Sequence, residues 1–278
     1  MDIGNCSKRY YRNKLLLILN ALEKPMIERH RSYQYDFSKR LPGAVYNHAA
    51  RERKAKTILA VLEEFFGNSI SDLSLLDVGC STGIISHFLS NYFRSVIGID
   101  IDTNAINFAI KNFKKSNLYY LQGNSMQMSF PDRTFDVITC IQVYEHVPDA
   151  KQLANEIHRV LKPGGVCYFA AGNRLNIKEP HYNLPLLSIV PRPLAHRYIK
   201  AAGKGDYYYE KHFSYWGLKN LIKNFKVIDY TKKMIYSPYS YHVDYMLPLE
   251  SKKARFAKWV VKYAYCLCPG YIWLLQKE

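Results

Sequence analysis

The sequence predicts an α/β fold in which a mostly parallel sheet carries helices on both faces. Two observations lead there. The first is the stretch Leu75-Leu76-Asp77-Val78-Gly79-Cys80-Ser81-Thr82-Gly83-Ile84-Ile85, which reads as a buried strand, a glycine turn and the start of a helix. The second is the alternation that follows. Strands are expected at 75–79, 95–100, 118–122, 135–141 and 165–171, and helices at about 83–92, 103–115 and 149–161. Strands joined through helices imply right-handed parallel crossovers.

Taken in order, residues 8–30 read as a basic helical segment. Ser32 to Leu41 is rich in tyrosine and charge and is broken by Pro42-Gly43. Ala50, Ile58, Leu59, Leu62 and Phe66 recur at helical spacing, so a helix is expected from Asn47 or His48 to Phe66, ending at Gly67-Asn68. Leu161-Lys162-Pro163-Gly164-Gly165 should stop one helix and turn into the next strand. After Asn173 the pattern lapses for roughly 40 residues punctuated by Pro180, Pro185, Pro191 and Pro193. Its leucines and aromatics argue against disorder. Ser214 opens a helix to Asn224, Phe225 to Tyr230 fits a strand, Lys252 to Leu267 a basic amphipathic helix, and Tyr271 to Gln276 the closing strand. The chain divides into a cap (1–66), a cofactor-binding core (67–175), an insertion with its helix (176–224) and C-terminal strands (225–278).

Three chemistries could use the glycine turn. A dinucleotide fingerprint needs G-x-G-x-x-G, which Gly79-x-Ser81-x-Gly83 does not supply. Gly79-Cys80-Ser81-Thr82-Gly83 matches the G-x-S-x-G nucleophile elbow of serine hydrolases, but the residues before it offer neither preceding strands nor a glycine-rich oxyanion loop. The third is S-adenosylmethionine. Val96-Ile97-Gly98-Ile99-Asp100-Ile101-Asp102 ends a second strand in a carboxylate about 20 residues past the turn, where a ribose-binding acid is expected. Leu121-Gln122-Gly123-Asn124-Ser125-Met126 ends a third. Phe130-Pro131-Asp132-Arg133-Thr134-Phe135-Asp136-Val137, then Glu145-His146-Val147, then Leu161-Lys162-Pro163-Gly164-Gly165 follow in order.

This ordered set resembles the methyltransferase type 11 group of class I S-adenosylmethionine-dependent methyltransferases, over roughly residues 70–175. Ser81 stands where a glycine is more usual. The resemblance implies a Rossmann-like seven-stranded sheet with its last strand antiparallel, a helical N-terminal cap and an acceptor-site lid inserted before the last two strands. It implies S-adenosylmethionine as cofactor and S-adenosylhomocysteine as product. It places Asp77, Gly79, Cys80, Ser81, Gly83, Asp100, Ile101, Asn124, Ser125, Met126, Ile141 and Gln142 at the cofactor, with Tyr46 and Arg51 of the cap at its methionine end. His146 is the candidate general base, because histidine suits proton transfer near neutrality; it reads equally as a packed histidine beside the cofactor. His181, Tyr208 and His212 are candidates for the acceptor side. Some relatives hold a metal at the Glu-His pair, but Gln142 stands where a further glutamate would be needed, so no metal is expected.

The bulk numbers narrow the partner. The net charge is +16, made of +6 on residues 1–66, −3 on 67–150 and +13 on 151–278. Positive charge therefore lies outside the cofactor half, which suits an anionic acceptor or a membrane face. An acceptor that is a small molecule or lipid-linked is expected, methylated on oxygen rather than nitrogen. RNA methylation is the rival, disfavoured because Ile141-Gln142-Val143-Tyr144 stands where a catalytic Asn-Pro-Pro-aromatic tetrad would be. A non-catalytic cofactor-binding partner subunit is a third reading. The six scattered cysteines show no zinc spacing and suit a reduced cytoplasmic protein. No membrane span or cleaved signal is expected. On Lys252 to Tyr263, however, Phe256, Trp259, Val260 and Tyr263 share one side, and Lys258 and Lys262 another. That pattern fits weak peripheral attachment, with Leu184 to Tyr198 as a second contact. It fits equally a helix packed on the sheet. Nothing in the sequence fixes the oligomeric state.

Overall fold

The computed structural model describes residues 32–278. The basic helix expected at 8–30 lies outside the described residues. Three short helices, α1 (Ser32–Tyr35), α2 (Phe37–Arg40) and α3 (Pro42–Val45), lead into α4 (His48–Phe66). The Asn47 side chain caps α4 by accepting from the Ala50 N–H at 3.0 Å. Gly67 ends it at φ 60°. A 3₁₀ turn then delivers the chain to β1 (Ser74–Val78), every residue of which is buried.

The order continues α5 (Ile84–Leu89), β2 (Ser95–Asp100), α6 (Thr103–Asn112), β3 (Leu118–Gln122), β4 (Phe135–Ile141), α7 (Ala150–Val160) and β5 (Leu161–Gly172). Next come α8 (Arg192–Ala201), α9 (Tyr215–Leu221), β6 (Lys226–Asp229), α10 (Tyr230–Tyr236), α11 (Lys252–Tyr263) and β7 (Gly270–Gln276). The seven strands form one sheet in the order β3-β2-β1-β4-β5-β7-β6. The first five run parallel, and β7 pairs antiparallel with both β5 and β6. This is the seven-stranded, mostly parallel sheet expected, with its last strand reversed.

Successive residues of each strand feed opposite faces. Leu76, Ile97 and Ile138 join α7 and α9 residues in one core. Leu75, Val96 and Val137 join α4, α5 and α10 residues in the other. The strand order reverses between β1 and β4, and the cleft outside the strand ends there is where such sheets bind ligands.

Several boundaries differ from the sequence expectation. β5 starts at Leu161 rather than 165, because Leu161 pairs with Phe135 before an irregularity in the ladder. At Tyr230, where the expected strand ends, the helix α10 begins instead. Asp229 caps it by accepting from the Thr231 and Lys232 N–H groups. The segment expected to be irregular contains α8, entered through Pro191, and a two-residue hairpin pairing Lys178–Glu179 with Leu184–Pro185. Leu187, Ala195, Ile199 and Tyr208 make it a small core of its own. The helix from Lys252 ends at Tyr263, followed by a 3₁₀ turn at Tyr265–Leu267.

Gly83 is the tightest position in this frame. It sits at φ 77°, and an added Cβ would lie 2.6 Å from the Tyr120 ring and 2.7 Å from Ala109 Cβ. Left-handed strain and overpacking act together there, so Gly83→Ala should destabilise the fold by about 2–4 kcal/mol. A lower denaturant midpoint at unchanged slope would confirm this; an unchanged midpoint would refute it.

Candidate active site

The turn after β1 builds the floor of the site. Gly79 and Cys80 donate their N–H groups to the Ile99 carbonyl at 2.8 and 3.0 Å, and the Ser81 N–H reaches Asp100 Oδ2 at 2.8 Å. Asp100 Oδ1 accepts from the Asp102 N–H at 2.9 Å. Burial pushes the Asp100 carboxyl up to about 6 against these two bonds. Asp77 is also raised by burial, although Ser86 and Thr139 hydroxyls donate to it at 2.6 and 2.7 Å. Burial lowers Arg51, and the charges of Asp77 and Asp100 pull the other way.

The cap is strapped over this floor. Thr82 donates to the Val45 carbonyl at 2.6 Å, and the Ser38 N–H to Asp102 Oδ2 at 2.7 Å. The Phe37 ring meets the His146 ring edge-on at 5.0 Å.

Above the floor lies a cavity of about 680 Å³. It brings together Arg51, Asp77, Gly79, Cys80, Ser81, Asp100, Ile101, Asn124, Ser125, Met126, Ile141, Gln142, His146 and His181, all expected at the site. Gly83 does not line it; it starts α5 behind the turn. Tyr46 does not line it: its ring stands against Phe108 at 4.9 Å. Tyr208 and His212 do not line the cavity either. Tyr208 belongs to the insertion's own core, and His212 sits behind His181. Sequence reasoning missed the far wall, formed by Met234 and Ile235 of α10 and by Val243, Tyr245, Met246 and Leu247. With the strand expectation running through Tyr230, no helix was available to place them.

Sequence reasoning also missed Glu179. The two-residue hairpin buries it completely. Its Oε1 accepts from His181 Nδ1 at 2.7 Å and faces His212 Nε2 at 3.3 Å. Its Oε2 accepts from the His181 and Tyr182 N–H groups at 2.8 Å each. Burial would raise Glu179, but the bonds from His181 and His212 hold it at about 2. Burial would lower His181; the Glu179 bond and the charges of Glu210, Glu179 and Glu145 outweigh it and leave His181 above the ordinary value. With Nδ1 engaged, Nε2 is the nitrogen available to a ligand. The only signal in the sequence was the spacing Glu-x-His around Pro180.

Glu145 lies beside this pair. It is fully buried, neither carboxyl oxygen has a hydrogen-bond partner, and burial raises its pKa. Ligand atoms of Glu145, His146 and His181 lie within 4.8 Å of one another, as do those of Glu179, His181 and His212. Such spacings suit a cation as well as hydrogen bonds, so the expected absence of a metal is decided by chelation rather than by Gln142.

A parallel sheet with this topology, a glycine turn bonded to a carboxylate-ended second strand, and a cleft above both are the features that the resemblance in the sequence implies. Residues 76–169 match the family model described as a methyltransferase domain. The chain is 30% identical over 148 residues to a ubiquinone biosynthesis O-methyltransferase of Colwellia psychrerythraea, covering 52% of this chain and 56% of that protein. It is 35% identical over 130 residues to a demethylmenaquinone methyltransferase of Lactococcus lactis, covering 44% and 52%. The chain thus spans about half the length of the curated relatives it matches. A solved chain from the complex between the Haloferax volcanii Trm112 methyltransferase activator and a methyltransferase superposes with a TM-score of 0.51. It shares 16% identity and covers 87% of this chain and 95% of that one, a likeness of fold alone.

The Glu179–His181 pair makes a direct prediction. His181, followed by NMR through a pH titration, should titrate above the ordinary histidine value. Glu179→Gln removes the neighbouring charge and should move that titration to lower pH. An unmoved titration would show that the two groups are not coupled.

Proposed function

We propose that this chain is an S-adenosylmethionine-dependent methyltransferase acting on a small-molecule acceptor. A hydroxyl oxygen is favoured over nitrogen, and a lipid-linked acceptor over a freely soluble one. The observation that carries the reading is the cavity that joins Asp100 and the glycine turn to the Glu179–His181 pair. Relatives named for ubiquinone biosynthesis, for demethylmenaquinone and, in Neurospora crassa, for a sterol support an apolar acceptor.

The lining fits the cofactor. Each Asp100 oxygen takes one backbone N–H and keeps a lone pair for a ribose hydroxyl. Ile101, Asn124, Ser125 and Met126 stand where the adenine would lie. Asp77 and Arg51 serve the methionine end, the guanidinium pairing with the amino acid's carboxylate. S-adenosylmethionine would supply a methyl group on a sulfonium that leaves as a neutral thioether.

The chain's own residues align the partners and manage the proton. Holding an acceptor oxygen in line with the methyl carbon supplies much of the rate. As the acceptor's O–H gives up its proton, His181 Nε2 takes it, and Glu179 stabilises the imidazolium. Burial and the bond to Glu179 fix the orientation of His181, which makes it a better base than His146. His146, with its side chain 15% exposed, packs against Phe37 and His181 and shapes the wall between cap and insertion.

Incubation with labelled methyl donor and fractionated lysate of the source organism tests the function. Label in the lipid-extractable fraction is expected. Label in RNA would favour the rival enzyme, and cofactor binding with no transfer to any fraction would indicate a non-catalytic subunit. For the labelled acceptor, the rate should rise with pH through the His181 titration, and Glu179→Gln should shift that rise to lower pH. Loss of all activity on chelation, restored by a divalent cation, would replace the base mechanism with a metal-assisted one.

The cofactor site makes its own prediction. Losing hydrogen bonds to a charged group costs about 1.5–3 kcal/mol, so Asp100→Ala should weaken S-adenosylmethionine binding about ten- to a hundredfold. Because Asp100 titrates near 6, wild-type affinity should fall as pH drops through that value, and the variant's should not. Calorimetry showing equal affinities would remove Asp100 from the site.

A further inference from the structure

The stretch 236–267 differs from the rest of the surface. Of eighteen large hydrophobic side chains exposed among the described residues, nine lie within it. On α11, Phe256, Trp259 and Tyr263 are 64%, 54% and 65% exposed. Phe256 and Trp259 stack with ring centroids 6.1 Å apart, and Trp259 and Tyr263 lie 6.0 Å apart. Spacings of three and four residues thus make one continuous aromatic strip. The helix holds itself to the body by burying Ala254 and Val261. The alternative in which Phe256 and Trp259 pack it on the sheet is therefore not the arrangement adopted. Five cations accompany the strip on α11: Lys252, Lys253, Arg255, Lys258 and Lys262. The helix has no carboxylate.

The loop before α11 reaches the cavity. Tyr245 and Met246 are 49% and 45% exposed, yet both line the cavity, so they form its rim. The helix α11 packs on α10, whose Met234 and Ile235 line the same cavity. No helix among the described residues is long and apolar enough to cross a membrane.

Charge decides what covers the strip. A two-fold contact between copies would set five cations of one α11 near five of the other, with no carboxylate on either helix. An anionic bilayer accepts the cations at its headgroups and the aromatic rings at its apolar boundary. We propose that α11 and the loop before it dock this protein on an anionic lipid surface. The cavity rim is then at the lipid–water boundary, and a lipid-dissolved acceptor enters without crossing bulk water. The acceptor's route rests on the methyltransferase reading; the docking itself does not.

Flotation of the full chain with vesicles tests it, using phosphatidylcholine alone or mixed with phosphatidylglycerol. The protein should float with the mixed vesicles at low salt, stay down with phosphatidylcholine alone, and lose flotation at high salt. The double variant F256S/W259S and the charge reversal K253E/K258E should each cut the partition coefficient about tenfold or more. Both should keep wild-type circular dichroism and S-adenosylmethionine affinity, since neither pair lines the cavity. A wild type that stays at the bottom with both vesicles, or folded variants that float as well as it does, would overturn the proposal. So would a concentration-dependent dimer, seen by sedimentation, that F256S/W259S abolishes without any flotation of the wild type. Failure of the methyltransferase reading would show instead as absent cofactor binding.

Discussion

Three backbone N–H groups of the turn after β1 are handed to the end of β2, and the rest of the site depends on that transfer. Two go to the Ile99 carbonyl and one to the Asp100 carboxylate. Through this turn Gly79, Ser81 and Gly83 hold left-handed angles, at φ 73°, 52° and 77°. The turn thereby becomes a fixed ledge between two strands. Everything above is keyed to it: Thr82 holds α3 through the Val45 carbonyl, and Asp102 holds α2 through the Ser38 N–H.

The ledge carries an electrostatic cost. Asp77 and Asp100 lie in a half-closed cleft, and burial raises both. A carboxyl whose folded value exceeds its unfolded one favours folding while protonated. For Asp100 that benefit disappears as pH rises from the ordinary carboxylate range through about 6. At neutral pH the residue therefore opposes folding, and a ligand that hydrogen-bonds to the anion offsets the penalty. Glu145 repeats the pattern: burial raises it too, and it is fully buried with neither oxygen paired. Strained polar groups of this kind concentrate where a protein binds or reacts.

Much of this was legible in the sequence because it is local. The turn, the carboxylate ending β2 and the alternation of strands each follow from a few adjacent residues. What was not legible is what folding brings from afar. Glu179 gains meaning only when the hairpin sets it between His181 and His212, the latter thirty-three residues later. Tyr46 was placed at the cofactor by its position in the cap, but α3 turns its ring outward to Phe108. Tyr230 looked like the end of a strand because it is aromatic and follows Val227 and Ile228. Asp229 capping the next residues instead makes it the first residue of a helix. The spacing of Phe256, Trp259 and Tyr263 was plain, yet the sequence could not say which side of the helix met the body.

The division of the cavity explains why the acceptor resists assignment from relatives. The matched family segment ends at residue 169 and supplies the turn, the two carboxylates and His146. The opposite wall comes from His181 in the insertion, from α10 and from the loop that follows it, all beyond that segment. On the proposed methyltransferase reading, likeness in the matched half would bear on the donor, and the acceptor would be set by this chain's own residues. Those residues have a consistent character. Apart from His181 the wall is largely apolar, its rim carries half-exposed Tyr245 and Met246, and most of the excess positive charge lies in the same part of the chain. A largely apolar wall, on the part of the chain that carries most of the positive charge, favours molecules with an apolar body and an anionic neighbourhood, which is the condition at the surface of an anionic bilayer.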